Sequence, residues 1–215
     1  RDICRTTDER TMISSVLPFA AIGGTIQVLY VARADLLLSV LSSFALDYLT
    51  RQKVGGTHLS QNYSKQLPVL SPLEFLRSDL WTSLSVESWF SDRVFELSYT
   101  SWDSAGFAKS LGRPGPPFIW NAGRRELIRA ELDAAIFHLY GLDSDDVAYI
   151  MDTFPIVRRK DEAEYGEFRT KRLILERYES LAQAMAAGTE YQTVLKPPPA
   201  DPSCIHTDEG SSDWI

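Results

Sequence analysis

The chain has 215 residues, of which 44% are hydrophobic, 11% aromatic and 24% charged, with a formal net charge of −7. This is the balance of a folded domain, and no apolar run of about 18 residues is present to cross a membrane as a helix. Residues 1–70 hold seven basic and five acidic side chains (net +2), and the rest hold 15 and 24 (net −9), so a nucleic-acid surface is expected before residue 70.

In chain order, residues 11–19 (TMISSVLPF) and 25–31 (TIQVLYV) are β-branched and roughly alternating, with Gly23-Gly24 between them. They predict two strands joined by a turn, with Pro18 ending the first strand or marking it as an edge. Gly23-Gly24 lacks the GxGxxG spacing and the following helix of a phosphate cradle, so a plain turn is expected. From Asp35 to about Gln52, Leu37, Leu38, Leu41, Ala45, Tyr48 and Leu49 recur at helical spacing, with Asp35 as N-cap. Val54-Gly55-Gly56-Thr57 closes that helix, the glycines supplying a left-handed turn. A polar loop then leads into Leu67-Pro68-Val69-Leu70, where Pro68 and Pro72 impose an extended path.

Past residue 73 the pattern is helical. Residues 85–101 carry Trp89, Val94, Leu97 and Trp102 on one face, and the Gly/Pro-rich stretch 112–117 interrupts. A long helix over about 122–140 follows, with Ile128, Leu132, Ala135, Ile136 and Leu139 as its core stripe and Gly141 as its end. Asp143, with Asp146 three residues on, opens a short helix to about Thr153. Residues 167–187 form a last, charge-laced helix, and the Pro-, Ser- and acid-rich stretch from Lys196 reads as a mobile tail. The fold class expected is α/β to mainly α: a small strand-containing module (1–72), a helical module (73–190) and a flexible tail (191–215).

No catalytic motif is present. The chain lacks an Asn/Asp-Pro-Pro-Tyr/Phe tetrad, a Phe-x-Gly-x-Gly turn, GxSxG and HExxH. The acids Asp145/Asp146 and Asp161/Glu162/Glu164 sit at helix starts or in charged runs, where capping and solvation account for them better than a nuclease metal site. Cys4, Cys204, His58, His138 and His206 are scattered without ligand spacing, which is expected of unpaired thiols in a reducing cytoplasm.

The stretch that suits a ligand is polar and acid-free: Arg51, Gln52, Lys53, Thr57, His58, Gln61, Asn62, Tyr63 and Lys65. Arg and Lys neutralise phosphates and pair with guanine, Asn and Gln pair with adenine, and hydroxyls reach phosphate oxygens. Composition alone leaves a solvated loop as good an explanation as a DNA contact.

Residues 36–72, with RQKVGGTHL followed by KQLPVL, resemble the end of the target-recognition region of restriction–modification methylases of the Eco57I type, a pattern shared more loosely with TaqI-like adenine methyltransferases. PPFIWNAGRRELIRAELDAAIFHLYGL and DTFPIVRRKDE with TKRLIL are similar to the helical tail of the same methylases. The chain also opens without Met inside patterned sequence and reads as a segment of a longer polypeptide. The resemblance implies a parent that methylates adenine N6 in DNA from S-adenosylmethionine, in an upstream Rossmann-like domain, after flipping the base. This segment would hold no cofactor and would position double-stranded DNA. Arg51, Lys53, Thr57, His58 and Lys65 match the pattern, whereas Gln61-Asn62-Tyr63 replaces bulkier apolar residues, which implies looser packing there. The helical module is expected to be scaffold. The alternative is a helical protein–protein interaction domain of an anti-phage defence complex.

Overall fold

The computed structural model describes residues 3–5, 8–77, 81–82 and 85–207. Among these the chain is mainly helical and contains no β-strand; only two isolated bridges occur, Ile3 with His58 and Phe118 with Ile205. The expected strands over 11–19 and 25–31 are therefore corrected. The turn between them does form, closed by Ile26 N–H to the Gly23 carbonyl (3.1 Å), but its flanks run as coil. A strand needs a neighbour to take its backbone hydrogen bonds, and no described segment lies alongside to do so. Met12 is buried and Val16 packs on the core, but most of the apolar side chains stay outward: Phe19 is fully exposed, Tyr30 is 90% exposed, and Leu17, Ile22, Leu29 and Val31 are also exposed.

The predicted helix over 35–52 is two helices, α1 (Ala34–Leu41) and α2 (Phe44–Lys53). Ser43 is the cause of the break. Its hydroxyl donates to the Val40 carbonyl (2.8 Å) and accepts from Leu46 N–H (3.2 Å), so it closes one helix and caps the next. Asp35 is not an N-cap. Arg33 holds that position, and Asp35 is buried within the first turn with its carboxylate against the Arg33 guanidinium at 2.8 and 3.0 Å. Burial pushes the Asp35 carboxyl up, but hydrogen bonds from Arg33 and Ser91 outweigh it and hold the group below its ordinary value. Helix α2 ends on Val54 in an extended conformation, and neither Gly55 nor Gly56 takes a positive φ, which corrects the left-handed turn expected there.

Seven further helices follow among the described residues, and those over 86–98, 122–139, 144–152 and 169–187 answer to the expected helical stretches. They are α3 (Gln61–Ser64), α4 (Val86–Ser98), α5 (Ala105–Ser110), α6 (Ala122–Leu139), α7 (Ser144–Asp152), α8 (Pro155–Tyr165) and α9 (Arg169–Ala187). Trp89 and Val94 face the core from α4, but Trp102 lies beyond that helix in a separate 3-10 turn and is 45% exposed. Asp143 and Asp146 form a reciprocal capping box at the start of α7. Gly141 takes φ +69° after α6, and Gly166 takes φ +75° after α8, the left-handed conformation in which a side chain would be strained. Helix α8 was not anticipated, although Pro155 at its first turn and Gly166 at its end are its ordinary punctuation. Within it Asp161 turns away from any acidic cluster and accepts Thr170 N–H (2.6 Å), satisfying an early donor of α9.

Helix α6 is the axis of the molecule. It packs against α9 on one side and against α4, α2 and α1 on the others, while α7 and α8 pack on α9. It is accordingly buried well beyond its predicted stripe, with Ile128, Ala134, Ala135, Ile136 and Phe137 all at 0% exposure. Burying each large aliphatic side chain contributes about 1.5–3 kcal/mol. Enclosure extends to its charged residues. Glu131 accepts Arg93 at 2.7 and 2.8 Å, the Tyr191 hydroxyl at 2.9 Å and the Thr193 hydroxyl at 2.6 Å. A buried carboxylate survives only with its lone pairs satisfied in this way.

Two of those partners lie in the supposed loose tail. Up to residue 207 that stretch is packed. Tyr191 and Leu195 are buried, Tyr191 N–H reaches the Trp81 carbonyl (2.7 Å), Ile119 N–H reaches Cys204 (2.8 Å), and His206 N–H reaches Pro117 (2.9 Å). Arg124 adds bonds to the carbonyls of Pro197 (2.7 Å) and Pro198 (2.9 Å). The mobility expected of residues 208–215 falls outside the described residues. One continuous hydrophobic core runs from Cys4 to Leu195.

Candidate nucleic-acid interface

The sequence places its polar candidates between the end of α2 and the segment after α3, and three apolar residues shape that stretch. Val54, Leu59 and Leu67 are 4%, 3% and 8% exposed and pin it to the core. Backbone bonds fix it further: Cys4 N–H donates to the Thr57 carbonyl (3.0 Å), the Gln27 amide to Leu59 (2.8 Å) and the Tyr140 hydroxyl to Pro68 (2.8 Å). Between these anchors Gln52, Lys53, Thr57, His58, Gln61, Asn62 and Lys65 are exposed. None of the residues of α3 is buried, as the polar replacement Gln61-Asn62-Tyr63 led one to expect. Lys53 and Lys65 make no ion pair among the described residues.

Arg51 does not belong to this surface. Its guanidinium stacks over the Phe154 ring (4.1 Å to the centroid) and its Nη2 donates to the carbonyls of Asp8 (2.8 Å) and Glu9 (2.9 Å). The Asp47 carboxylate, fully buried, lies 3.5 Å from Arg51 Nε and an equal distance from Arg10 Nε, and it accepts the N–H groups of Thr11 (2.9 Å) and Met12 (2.6 Å). Asp47 and Arg51 are thus a clasp that ties residues 8–12 to α2. Burial lowers the Arg51 guanidinium from its ordinary value, and Asp47 opposes that shift. Position four after Asp47 on one helix face was the available signal, since an i,i+4 acid–base pair tends to engage itself.

The remaining seven residues present three kinds of group on one pinned stretch: ammonium cations, amides and a hydroxyl beside an imidazole. This arrangement can neutralise phosphates and offer paired donor and acceptor groups to base edges.

No protein-family profile, curated protein or solved structure matches this chain.

A second concave region went unnoticed in the sequence. A cleft of about 860 Å³ opens between the start of α2, the end of α4, α6 and residues 12–16. Arg125, Arg129 and Asp133 line it from successive turns of α6, with Trp120 at the entry to that helix. The i,i+4 spacing of those three charges on a helix otherwise read as core was the usable hint. No group of three or more His, Cys, Asp or Glu side chains suited to a metal ion occurs among the described residues. No helix there is long and apolar enough to cross a membrane.

Proposed function

We propose that this chain is a DNA-recognition segment of a restriction–modification adenine methyltransferase, holding duplex DNA for a catalytic domain elsewhere in the same polypeptide. The observation that carries this reading is the pinned, exposed stretch holding Gln52, Lys53, Thr57, His58, Gln61, Asn62 and Lys65, which has no acid between residues 51 and 65 and whose two lysines make no ion pair among the described residues. The sequence resemblance of RQKVGGTHL and KQLPVL supplies the reaction class, and the absence of cofactor-binding motifs from the segment agrees with a division of labour. The exposed apolar run over 13–31 suits the packing of this segment against the upstream domain, where its side chains and backbone groups would find partners.

The test is electrostatic. Replacing both Lys53 and Lys65 by Ala should weaken binding to duplex DNA and reduce the slope of log affinity against log salt by about 2, since each phosphate contact contributes close to one unit. Binding that keeps its salt slope in the double variant rejects this surface as the contact.

The same apolar run favours one alternative, a protein–protein interaction domain of a defence complex. Retention of full DNA affinity in that double variant, together with loss of partner binding on replacing Phe19 and Tyr30 by Ser, would select it.

A further inference from the structure

The cleft beside α6 holds a buried cation that makes no ion pair among the described residues. Arg125 is 9% exposed, and its guanidinium lies 3.7 Å from the centroid of the Trp120 ring. Nη1 donates to the Leu97 carbonyl (2.8 Å), Nε has no acceptor among the protein's own atoms, and Nη2 makes no hydrogen bond among the described residues. Glu96, whose charge acts on Arg125, is held by Arg124, which it meets with both carboxylate oxygens. One turn further along α6, Arg129 is exposed and has no ion-pair partner among the described residues. The two guanidinium groups share a helix face, and four residues of spacing sets their Cβ atoms about 6 Å apart. Burial, with the Arg129 charge adding to it, pushes Arg125 down to about 10.

Two of the three acids that line the cleft are engaged by other cations. Glu126 is held by Arg169 at 3.0 to 3.2 Å, and Glu9 by Lys160. Asp133, a further turn along from Arg129, accepts Phe44 N–H at 2.7 Å and feels the charges of Arg10 and Arg129, so it offsets Arg129 in part and lies two turns from Arg125. The Arg125 end is left with two cations, the exposed ring of Trp120 and the hydroxyl of Ser98 beside the Leu97 carbonyl. Taking a cation out of water is costly unless an anion meets it. Guanidinium forks match phosphate oxygens in geometry, and a flat exposed ring offers a base its stacking face. The volume is that of a small-molecule site.

We propose that the Arg125–Arg129 end of this cleft binds the phosphate of a nucleotide whose base lies against Trp120. The site goes beyond the DNA surface argued above and stands without it: it adjoins the start of α2 at Phe44, whereas Lys53 ends that helix nine residues, about 13 Å, away. The phosphate comes either from a free nucleotide or from a nucleic-acid backbone.

Titration calorimetry of the 215-residue chain with AMP, inorganic phosphate and a short single-stranded oligonucleotide separates the sources. Binding of AMP assigns a free nucleotide, and binding of the oligonucleotide alone assigns a backbone phosphate. In either case Arg129→Gln, at an exposed position, should weaken the interaction about tenfold in a chain that keeps its helical circular-dichroism spectrum. Trp120→Leu should weaken AMP or the oligonucleotide but not inorganic phosphate, and the Lys53/Lys65 double variant should leave AMP binding as it was. Absence of binding by AMP and oligonucleotide alike, or binding indifferent to Arg129→Gln, overturns the proposal. An interaction lost only in the lysine variant also overturns it, and leaves the DNA surface standing.

Discussion

Glu131 and Asp133 stand two residues apart on α6, both buried, and their surroundings treat them differently. Glu131 gathers four hydrogen bonds across Arg93, Tyr191 and Thr193, whereas Asp133 accepts one, from Phe44 N–H. Burial raises the Asp133 carboxyl from 3.8 to about 6, against the pull of Arg10, the Phe44 amide and Arg129. Because the folded state holds this proton more tightly than the unfolded chain, its ionisation costs stability as pH rises from about 4 through about 6, by roughly 3 kcal/mol in all. Asp133→Asn keeps an oxygen for Phe44 N–H and removes the charge. It should stabilise the protein at about pH 7.5, with the gain vanishing near pH 4. Urea unfolding at both pH values checks this, and an equal effect at the two would refute the assignment. The inward turn of Arg51 belongs to the same scale: Arg51 counts as a DNA-reading cation in composition, but with Asp47 four residues back and Phe154 alongside it is spent within the fold.

At the scale of elements, the break between α1 and α2 depends on one hydroxyl. Ser43→Ala removes the oxygen that caps Leu46 N–H and the donor to Val40, and should cost about 1 kcal/mol in chemical denaturation. If that variant matches the parent chain, Asp133 alone sets the start of α2 through Phe44. Helices α4, α6, α7 and α9 were legible because each carries its own stripe, cap or glycine stop, all local quantities. The two strands were misread for the opposite reason. Alternation and β-branching describe how a residue would sit in a sheet, but a strand exists only where a neighbouring backbone takes its hydrogen bonds. Residues 11–31 have the side-chain pattern without that neighbour among the described residues.

For the whole molecule, α6 threads a core shared by residues from both ends of the chain. Leu195 and Tyr191 fill it from beyond α9, and Glu131 relies on Tyr191 and Thr193. Removing residues 191–215 should therefore lower stability by several kcal/mol, since it strips two buried side chains and leaves a buried carboxylate with two of its four hydrogen bonds. A truncated chain that melts with the parent would contradict that account. Low complexity in the tail hid this: prolines and small polar residues suggest mobility, yet the carbonyls of Pro197 and Pro198 both accept from Arg124.

By itself the sequence determined the helical stretches that became α4, α6, α7 and α9, and the acid-free polar run between α2 and the prolines, because propensity, periodicity and composition act over a few neighbouring residues. Tertiary structure alone decided which candidates remain on the surface, that Arg51 is a clasp, that the C-terminal stretch is core, and that Arg125, Arg129 and Trp120 border one cleft. Those outcomes depend on partners dozens of residues away, and burial, desolvation and hydrogen bonding follow distance in space rather than along the chain.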